Sequence, residues 1–288
     1  MAENNIQCCF CGPVRQCASF LSAVLRNIEK IGSHVFQNQY AIVVFYDQST
    51  DASLQQLQTY KKQIQESLNI QMHLIVNPAP TLLSPYRTHR IAAARNACLA
   101  LIKTTYPKCP YFIMMDFDDP NSKPCDPSKL LKYFDANKLL NQWDALSFQT
   151  APHYYDIWAL SIPPFSFSYN HFDKQLQHHL IIRWFMDKKL ANTKQLVPCI
   201  SAFNGFAIYK TAAFQNCLYS GDIRESVKQS NKHWIKQHKA VTNSPRLVFP
   251  DYGHIKGKHE DCEHRPFHMQ AIKKHGAKIR ISPEILFI

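Results

Sequence analysis

Tyr111-Phe112-Ile113-Met114-Met115-Asp116-Phe117-Asp118-Asp119-Pro120 is the stretch on which the fold turns. Five apolar or aromatic residues in succession predict a strand covered on both faces, hence central in a sheet. The strand runs into three carboxylates within four positions, and Pro120 stops it. Acids clustered at the end of a buried strand repel one another and lose hydration unless a cation sits among them. Oxygen-rich ligand sets suit Mg²⁺ or Mn²⁺, ions that also clamp a diphosphate. In open α/β sheets, ligands bind beyond the carboxyl ends of the strands, where these acids fall. The plainer alternative is a solvated acidic turn that caps the next helix.

The flanking sequence supplies the sheet. Ile6–Cys11 is an apolar run closed by Gly12-Pro13, and Ala18–Ile31 has apolar residues at helical spacing with Gly32 as C-cap. Tyr40–Tyr46 predicts a second strand, and the polar turn Asp47–Asp51 can cap a helix over Ser53–Leu68. Gln71–Val76 is a third strand, residues 77–85 form a proline-rich rim loop, and a small-residue helix runs from Arg90 to Lys103. Strand and helix alternate three times before the acidic strand, which implies a parallel sheet with helices on both faces.

Beyond Asp119 the pattern changes. A helix over Ser128–Leu140, strands over Asp144–Gln149 and Tyr154–Leu160, and an aromatic loop over 163–169 are expected. A helix over residues 174–187 and a strand-like run Gln195–Tyr209, broken at Asn204-Gly205, follow. Residues 221–245 read as polar and irregular; a helix from Glu263 to His275, Gly276 as its cap and a strand Lys278–Ile281 end the chain.

Composition narrows the function. The 288 residues suffice for a large core, and only 7 glycines argue against glycine-built phosphate loops. Neither G-x-G-x-x-G nor G-x-x-x-x-G-K-[ST] occurs. The net charge of +12 favours an anionic partner. That partner could be nucleic acid, a phosphorylated ligand or an acidic surface. The basic residues are scattered and form no cationic arm, so charge alone only weakly supports nucleic-acid binding. Ten cysteines lie mostly singly in apolar segments, without a C-x-x-C pair, as reduced thiols do. The start of the chain lacks a signal-peptide pattern, and no apolar run could span a bilayer. A soluble chain in a reducing, cytoplasmic compartment is the expectation.

Arg90 and Arg95, at a helix start one strand before the acids, are placed to hold phosphate oxygens; an exposed ion pair is the plainer alternative. Asp47 ends a neighbouring strand and could accept from a ribose or a base, or simply form an Asx turn. Near the C-terminus, His259-Glu260-Asp261-Cys262-Glu263-His264-Arg265-Pro266-Phe267-His268 is dense in chemistry. His264 and His268 share one helical face, as paired metal ligands do. Glu260, Asp261 and Glu263 offer a general base, or else complement a helix dipole.

In this order the pieces resemble the nucleotide-sugar-dependent glycosyltransferases of the GT-A fold, over nearly the whole chain. Phe45–Asp51 resembles their E-N-D-S-T-D turn, Arg90–Asn96 their R-x-x-x-L-A-x-A-R-N helix start, and Asp116–Asp119 their D-x-D motif. Tyr155–Leu160, Phe203–Lys210 and Cys262–His268 resemble two groups most. These are the fungal capsule-associated mannosyltransferases and the uncharacterised glycosyltransferases of large DNA viruses; a viral chain would act in the host cytoplasm. Glu263-His264 falls where the E-D motif of GT-A enzymes stands, with His in place of Asp.

The resemblance implies an α/β, GT-A-like mixed but mainly parallel sheet with a Rossmann-like nucleotide-binding N-terminal half. Residues 1–120 would bind the donor, and 121–288 would form the acceptor-binding, catalytic half of the same continuous domain. The implied reaction moves a hexosyl or pentosyl unit from a UDP- or GDP-sugar, UDP preferred, to a glycan or other hydroxyl acceptor. Mn²⁺ or Mg²⁺ would sit on Asp116, Asp118 and His264. Pro13, Asp47, Arg90, Arg95, Asp116 and Phe117 would surround the donor. Asp119, Trp158, Asn204, Gly205 and His268 would face sugar or acceptor. Glu263 would be the base of an inverting displacement, with Asp261 in reserve. A metal-dependent nuclease or phosphotransferase would share the acids but not the Trp158 and Asn204-Gly205 segments. A non-catalytic carbohydrate- or nucleic-acid-binding protein would need no metal acids.

Overall fold

The computed structural model describes residues 6–77, 84, 86–167, 178–242 and 260–288. Most of the expected rim loop at 77–85, the end of the aromatic loop at 168–169, the start of the helix at 174–177, residues 243–245 of the polar stretch and His259 lie outside them. Strands β1 (Cys8–Val14), β2 (Tyr40–Tyr46), β3 (Gln71–Val76) and β4 (Tyr111–Met115) come from the first part of the chain. β5 (Ala145–Gln149), β6 (Val197–Pro198), β7 (Phe206–Lys210) and β8 (Ile279–Ile285) come from the second. All eight join one sheet in the order β3-β2-β1-β4-β7-β5-β8-β6. β1 is parallel to both β2 and β4, and β2 to β3; β7 is antiparallel to β4 and β5, and β6 to β8. With β5 parallel to β8, the sheet is mixed and mainly parallel, as expected.

Two apolar layers cover the sheet. Alternation along β1 sends Cys8 and Phe10 to one side and Cys9 and Cys11 to the other. On the first side lie α1 (Ala18–Phe36) and α2 (Ser53–Leu68), contributing residues such as Leu21, Ile28, Leu57 and Ile64. On the second lie α3 (Arg87–Thr105) and α8 (His264–His275), with Ala94, Cys98, Phe267 and Ala271. Gly12 is required where β1 and β4 meet: a Cβ there would stand 2.1 Å from the Met115 carbonyl oxygen. All ten cysteines are buried free thiols.

Several expectations are corrected. Gly32 does not cap α1; it lies inside the helix, where a Cβ would collide with the Tyr40 ring. The helix continues another turn because Phe36 packs edge-on against Phe10 and Phe134, and Gln37 caps it in the left-handed region. The helix expected over Ser128–Leu140 is two 3-10 turns, Pro127–Tyr133 and Leu140–Gln142. Asp135 separates them, its carboxylate and carbonyl taking the N–H groups of Asn137, Lys138 and Leu140. Residues 221–242 hold two helices, α6 (Ile223–Gln229) and α7 (Lys232–Thr242). Their N-termini are capped by Asp222 and Asn231, signals that the polarity of the stretch obscured. α8 and its cap Gly276 stand where expected.

Tyr154–Leu160 is not a strand. Four of its backbone donors go to side chains: Tyr154 to Asp187, Tyr155 and Asp156 to Asn204, and Ala159 to Asp156. A short helix α4 (Asp119–Ser122) follows the acidic strand end, and α5 (His178–Ala191) flanks the second half.

Candidate active site

A cleft of about 500 Å³ opens beyond the carboxyl ends of β1, β2 and β4, against the N-terminal turns of α3. Pro13, Asp47, Arg90, Arg95, Asp116, Phe117, Asp118, Trp158, Glu263 and His264, all singled out from the sequence, line it.

Asp116 is fixed from three sides. Its N–H donates to the Gly205 carbonyl at 2.9 Å, its carbonyl accepts from Asn121 Nδ2 at 2.7 Å, and its Oδ1 lies 2.9 Å from Arg95 Nη2. Arg95 is buried, with its guanidinium 4.5 Å from the centre of the Phe203 ring, and its Nε lies 3.1 Å from Glu263 Oε1. Burial alone would lower the Arg95 pKa, but the Asp116 and Glu263 carboxylates outweigh it and push it up. Arg95 therefore ties the acidic strand end to the start of α8. Its Nη1 is buried and has no hydrogen-bond partner among the described residues.

Asp118 is the electrostatic anomaly of the cleft. Its Oδ1 is buried with no hydrogen-bond partner among the described residues. Burial, and then the neighbouring Asp116 charge, push its carboxyl up to about 7. An unpartnered carboxylate oxygen beside a second carboxylate is a donor set that fits a hard divalent cation. Among the described residues, no three His, Cys, Asp or Glu side chains are grouped to hold a metal, so His264 does not join the two aspartates. The ring of His264 instead stacks on Phe203 at 3.8 Å, its Nε2 has no hydrogen-bond partner among the described residues, and burial holds its pKa well below the ordinary value.

Other expected site residues lie elsewhere. Asp261 is fully buried outside the cleft wall, bonded to Arg265 Nε at 2.9 Å and to the Ser226 hydroxyl, so it cannot meet a substrate. His268 is buried between the Ser201 and Tyr209 hydroxyls, each 3.0 Å away, and burial pushes it down to about 3. Neither is free for the role first assigned. Asn204 uses Oδ1 on the Tyr155 and Asp156 N–H groups and Nδ2 on the Phe148 carbonyl. Asn204 and Gly205 shape the cleft from behind and do not line it. Glu260 does complement a helix, but it is α3, through the Thr88 N–H. Asp119 is exposed and lines a smaller adjoining cavity of about 220 Å³ that shares Tyr155 and Arg183 with the cleft.

Four charged lining residues are not among the expected site residues: Arg15, Arg87, Asp156 and Arg183. α3 begins one turn before Arg90, which puts Arg87 at the cleft; the signal was the helix start itself. Asp156 falls in the segment Tyr154–Leu160 that the sequence pattern predicts as a strand. Its carboxyl, enclosed in the cleft wall, is pushed up by burial to about 6.

No family model matches the sequence, and no curated protein matches it. Solved structures with similar backbones include S. aureus TarS 1-349, at TM-score 0.49 and 11% identity, over 98% of this chain and 59% of that one. The same protein in complex with UDP-GlcNAc gives 0.47 and 12%, over 98% and 57%. The mannosyltransferase PcManGT from Pyrobaculum calidifontis, in complex with GDP-Man and Mn²⁺, gives 0.42 and 12%, over 73% and 46%. The chain thus spans about three fifths of the length of the TarS 1-349 chain. None of these likenesses reaches a TM-score of 0.5, so the functional reading rests on the cleft.

Proposed function

We propose that the chain is a divalent-metal-dependent glycosyltransferase that moves a sugar from a nucleoside-diphosphate sugar, UDP preferred over GDP, to a hydroxyl of a glycan or similar acceptor. The observation that carries this reading is the Asp116–Asp118 pair, with its unpartnered buried oxygen, at the strand ends facing the arginine-bearing start of α3. Asp116 and Asp118 would hold Mn²⁺ or Mg²⁺, which supplies positive charge to the departing diphosphate. Arg87 and Arg90, on the first turns of α3, add cationic donors where a helix N-terminus already favours phosphate. Arg95 is clamped by two carboxylates, and its Nη1, without a hydrogen-bond partner among the described residues, is a donor left for a ligand. Asp47 and Pro13, at the ends of β2 and β1, line the nucleoside side. Trp158, whose Nε1 is buried without a hydrogen-bond partner among the described residues, offers a flat face and a donor to the sugar.

The acceptor proton must go to a carboxylate of the second half, and Asp156 and Glu263 are those that line the cleft. A single displacement inverts the anomeric centre. A panel of UDP- and GDP-sugars with Mn²⁺, Mg²⁺ or chelator tests the proposal. Release of UDP or GDP that needs the metal and is lost in Asp118→Asn is expected. No release from any donor, or release indifferent to chelator, would contradict it.

A further inference from the structure

We infer that Asp156 is the catalytic base of the transfer and that Glu263 is a positioning residue acting through Arg95. The inference rests on the glycosyl-transfer reading above and names the group that takes the acceptor proton.

The side chains lining the cleft that could accept a proton are Asp47, Asp116, Asp118, Asp156, Glu263 and His264. Asp47 Oδ1 already accepts from Asn77 Nδ2 at 2.9 Å and from the Gln48 N–H at 3.0 Å. Asp116 is bonded to Arg95, and Asp118 carries the unpartnered oxygen suited to the cation. Burial raises the Glu263 carboxyl too, but its Oε1 lies 3.1 Å from Arg95 Nε and is engaged in an ion pair that holds Arg95 and, through it, Asp116. Burial and Arg95 make His264 a poor proton acceptor as well.

Asp156 differs from all of these. Among the described residues no Lys, Arg or His forms an ion pair with it. Its Oδ1 accepts one hydrogen bond, from the Ala159 N–H at 3.0 Å, and among the described residues its Oδ2 takes none. Its backbone is held by Asn204, whose Oδ1 accepts from the Asp156 N–H at 2.7 Å while Nδ2 donates to the Phe148 carbonyl at 2.7 Å. The next segment is anchored by Arg265, which donates to the carbonyls of Trp158 and Leu160. The carboxylate is thus fixed on both sides with one oxygen open, as a base needs to be. A carboxyl pushed up to about 6 by burial is still mostly ionised at neutral pH, yet binds a proton more strongly than an ordinary aspartate. Tyr155, 52% exposed beside it, borders both the cleft and the smaller cavity that holds Asp119. An acceptor sugar seated there would present its hydroxyl past Asp156.

In the step itself, the acceptor O–H proton passes to the Asp156 carboxylate. The freed oxygen pair forms the new bond to the anomeric carbon. The bond from that carbon to the diphosphate oxygen breaks, its electron pair staying on the nucleoside diphosphate. Glu263 takes no proton. By holding Arg95 it holds Asp116, so its loss should disturb donor binding first.

The test uses the full chain with UDP-glucose, UDP-N-acetylglucosamine and GDP-mannose, Mn²⁺, and methyl glucoside, galactoside and mannoside as acceptor probes. Acceptor-dependent release of UDP or GDP is read alongside calorimetric binding of UDP and GDP. Asp156→Asn should lose transfer by a factor of about 10² or more while nucleotide affinity stays within about twofold. Asp156→Glu, which keeps a displaced carboxylate, should recover part of that loss. Glu263→Gln should weaken nucleotide binding and raise the donor KM. Asp156→Asn within about fivefold of wild type, or Asn and Glu variants equally inactive with native melting curves, would overturn the assignment. So would a Glu263→Gln variant that binds nucleotide normally but transfers nothing. An inert wild type removes the glycosyl-transfer reading and this assignment together; an active wild type with an equally active Asp156→Asn removes the assignment alone.

Discussion

Asp118 is in the wrong place for a carboxylate unless something positive joins it. Its Oδ1 is buried without a hydrogen-bond partner among the described residues, and burial with the Asp116 charge pushes its pKa up to about 7. The folded state therefore holds the proton more tightly than the unfolded chain does. Stability from this group is greatest at low pH, falls as pH rises from about 4 toward 7, and levels off above that. Asp156, up to about 6, and Glu263, also raised by burial, act in the same direction. Thermal melts in chelator should show Asp118→Asn more stable than wild type at pH 8, with the gap closing toward pH 5. Mn²⁺ should raise the wild-type melting temperature and leave Asp118→Asn unmoved. A variant no more stable than wild type at pH 8 would mean that Asp118 is solvated or partnered after all.

At the scale of elements, α8 and the Trp158–Ser161 segment form one unit. Arg265 is fully buried, paired with Asp261 and bonded to the Trp158 and Leu160 carbonyls and the Ser161 hydroxyl. Removing one partner of such a buried pair leaves an uncompensated charge and costs about 3–5 kcal/mol. Asp261→Asn should show a loss of that order in urea unfolding; a variant of native stability would take Asp261 out of this framework. At β1, Gly12→Ala should destabilise strongly, since its Cβ would meet a carbonyl oxygen of β4, which cannot swing aside as a side chain can. A melting temperature unchanged by the extra methyl would contradict that packing.

These elements also show where sequence reading stops. β2, β3 and α2 have the expected boundaries because apolar runs and an Asn-ended helix are local signals. Tyr154–Leu160 was misread because its shape is set by Asn204 and Arg265, about 50 and 105 positions away, and no local pattern records them. The acidic pair was legible because charge at a buried strand end is itself anomalous. Asp156 was not, because an acid in a presumed strand is unremarkable until the strand proves to be a loop.

For the whole molecule, the sheet brings the ends of β1, β2 and β4 to one edge and sets α3 across them, so the acids and the first arginines meet through topology alone. The second half adds the opposite wall, Asp156 to Trp158 and Cys262 to His264, locked to the first through Arg95 between Asp116 and Glu263. No helix among the described residues is long and apolar enough to cross a membrane. The central claim is that this cleft receives a nucleoside diphosphate together with a divalent cation on Asp116 and Asp118. Titration calorimetry with UDP and with GDP, in Mn²⁺ and in chelator, on wild type and Asp118→Asn, tests it most directly. Binding that weakens by about tenfold or more on chelation, and in Asp118→Asn even with Mn²⁺ present, is the predicted result. Equal affinity in all four conditions, or no binding of either nucleotide, would contradict it.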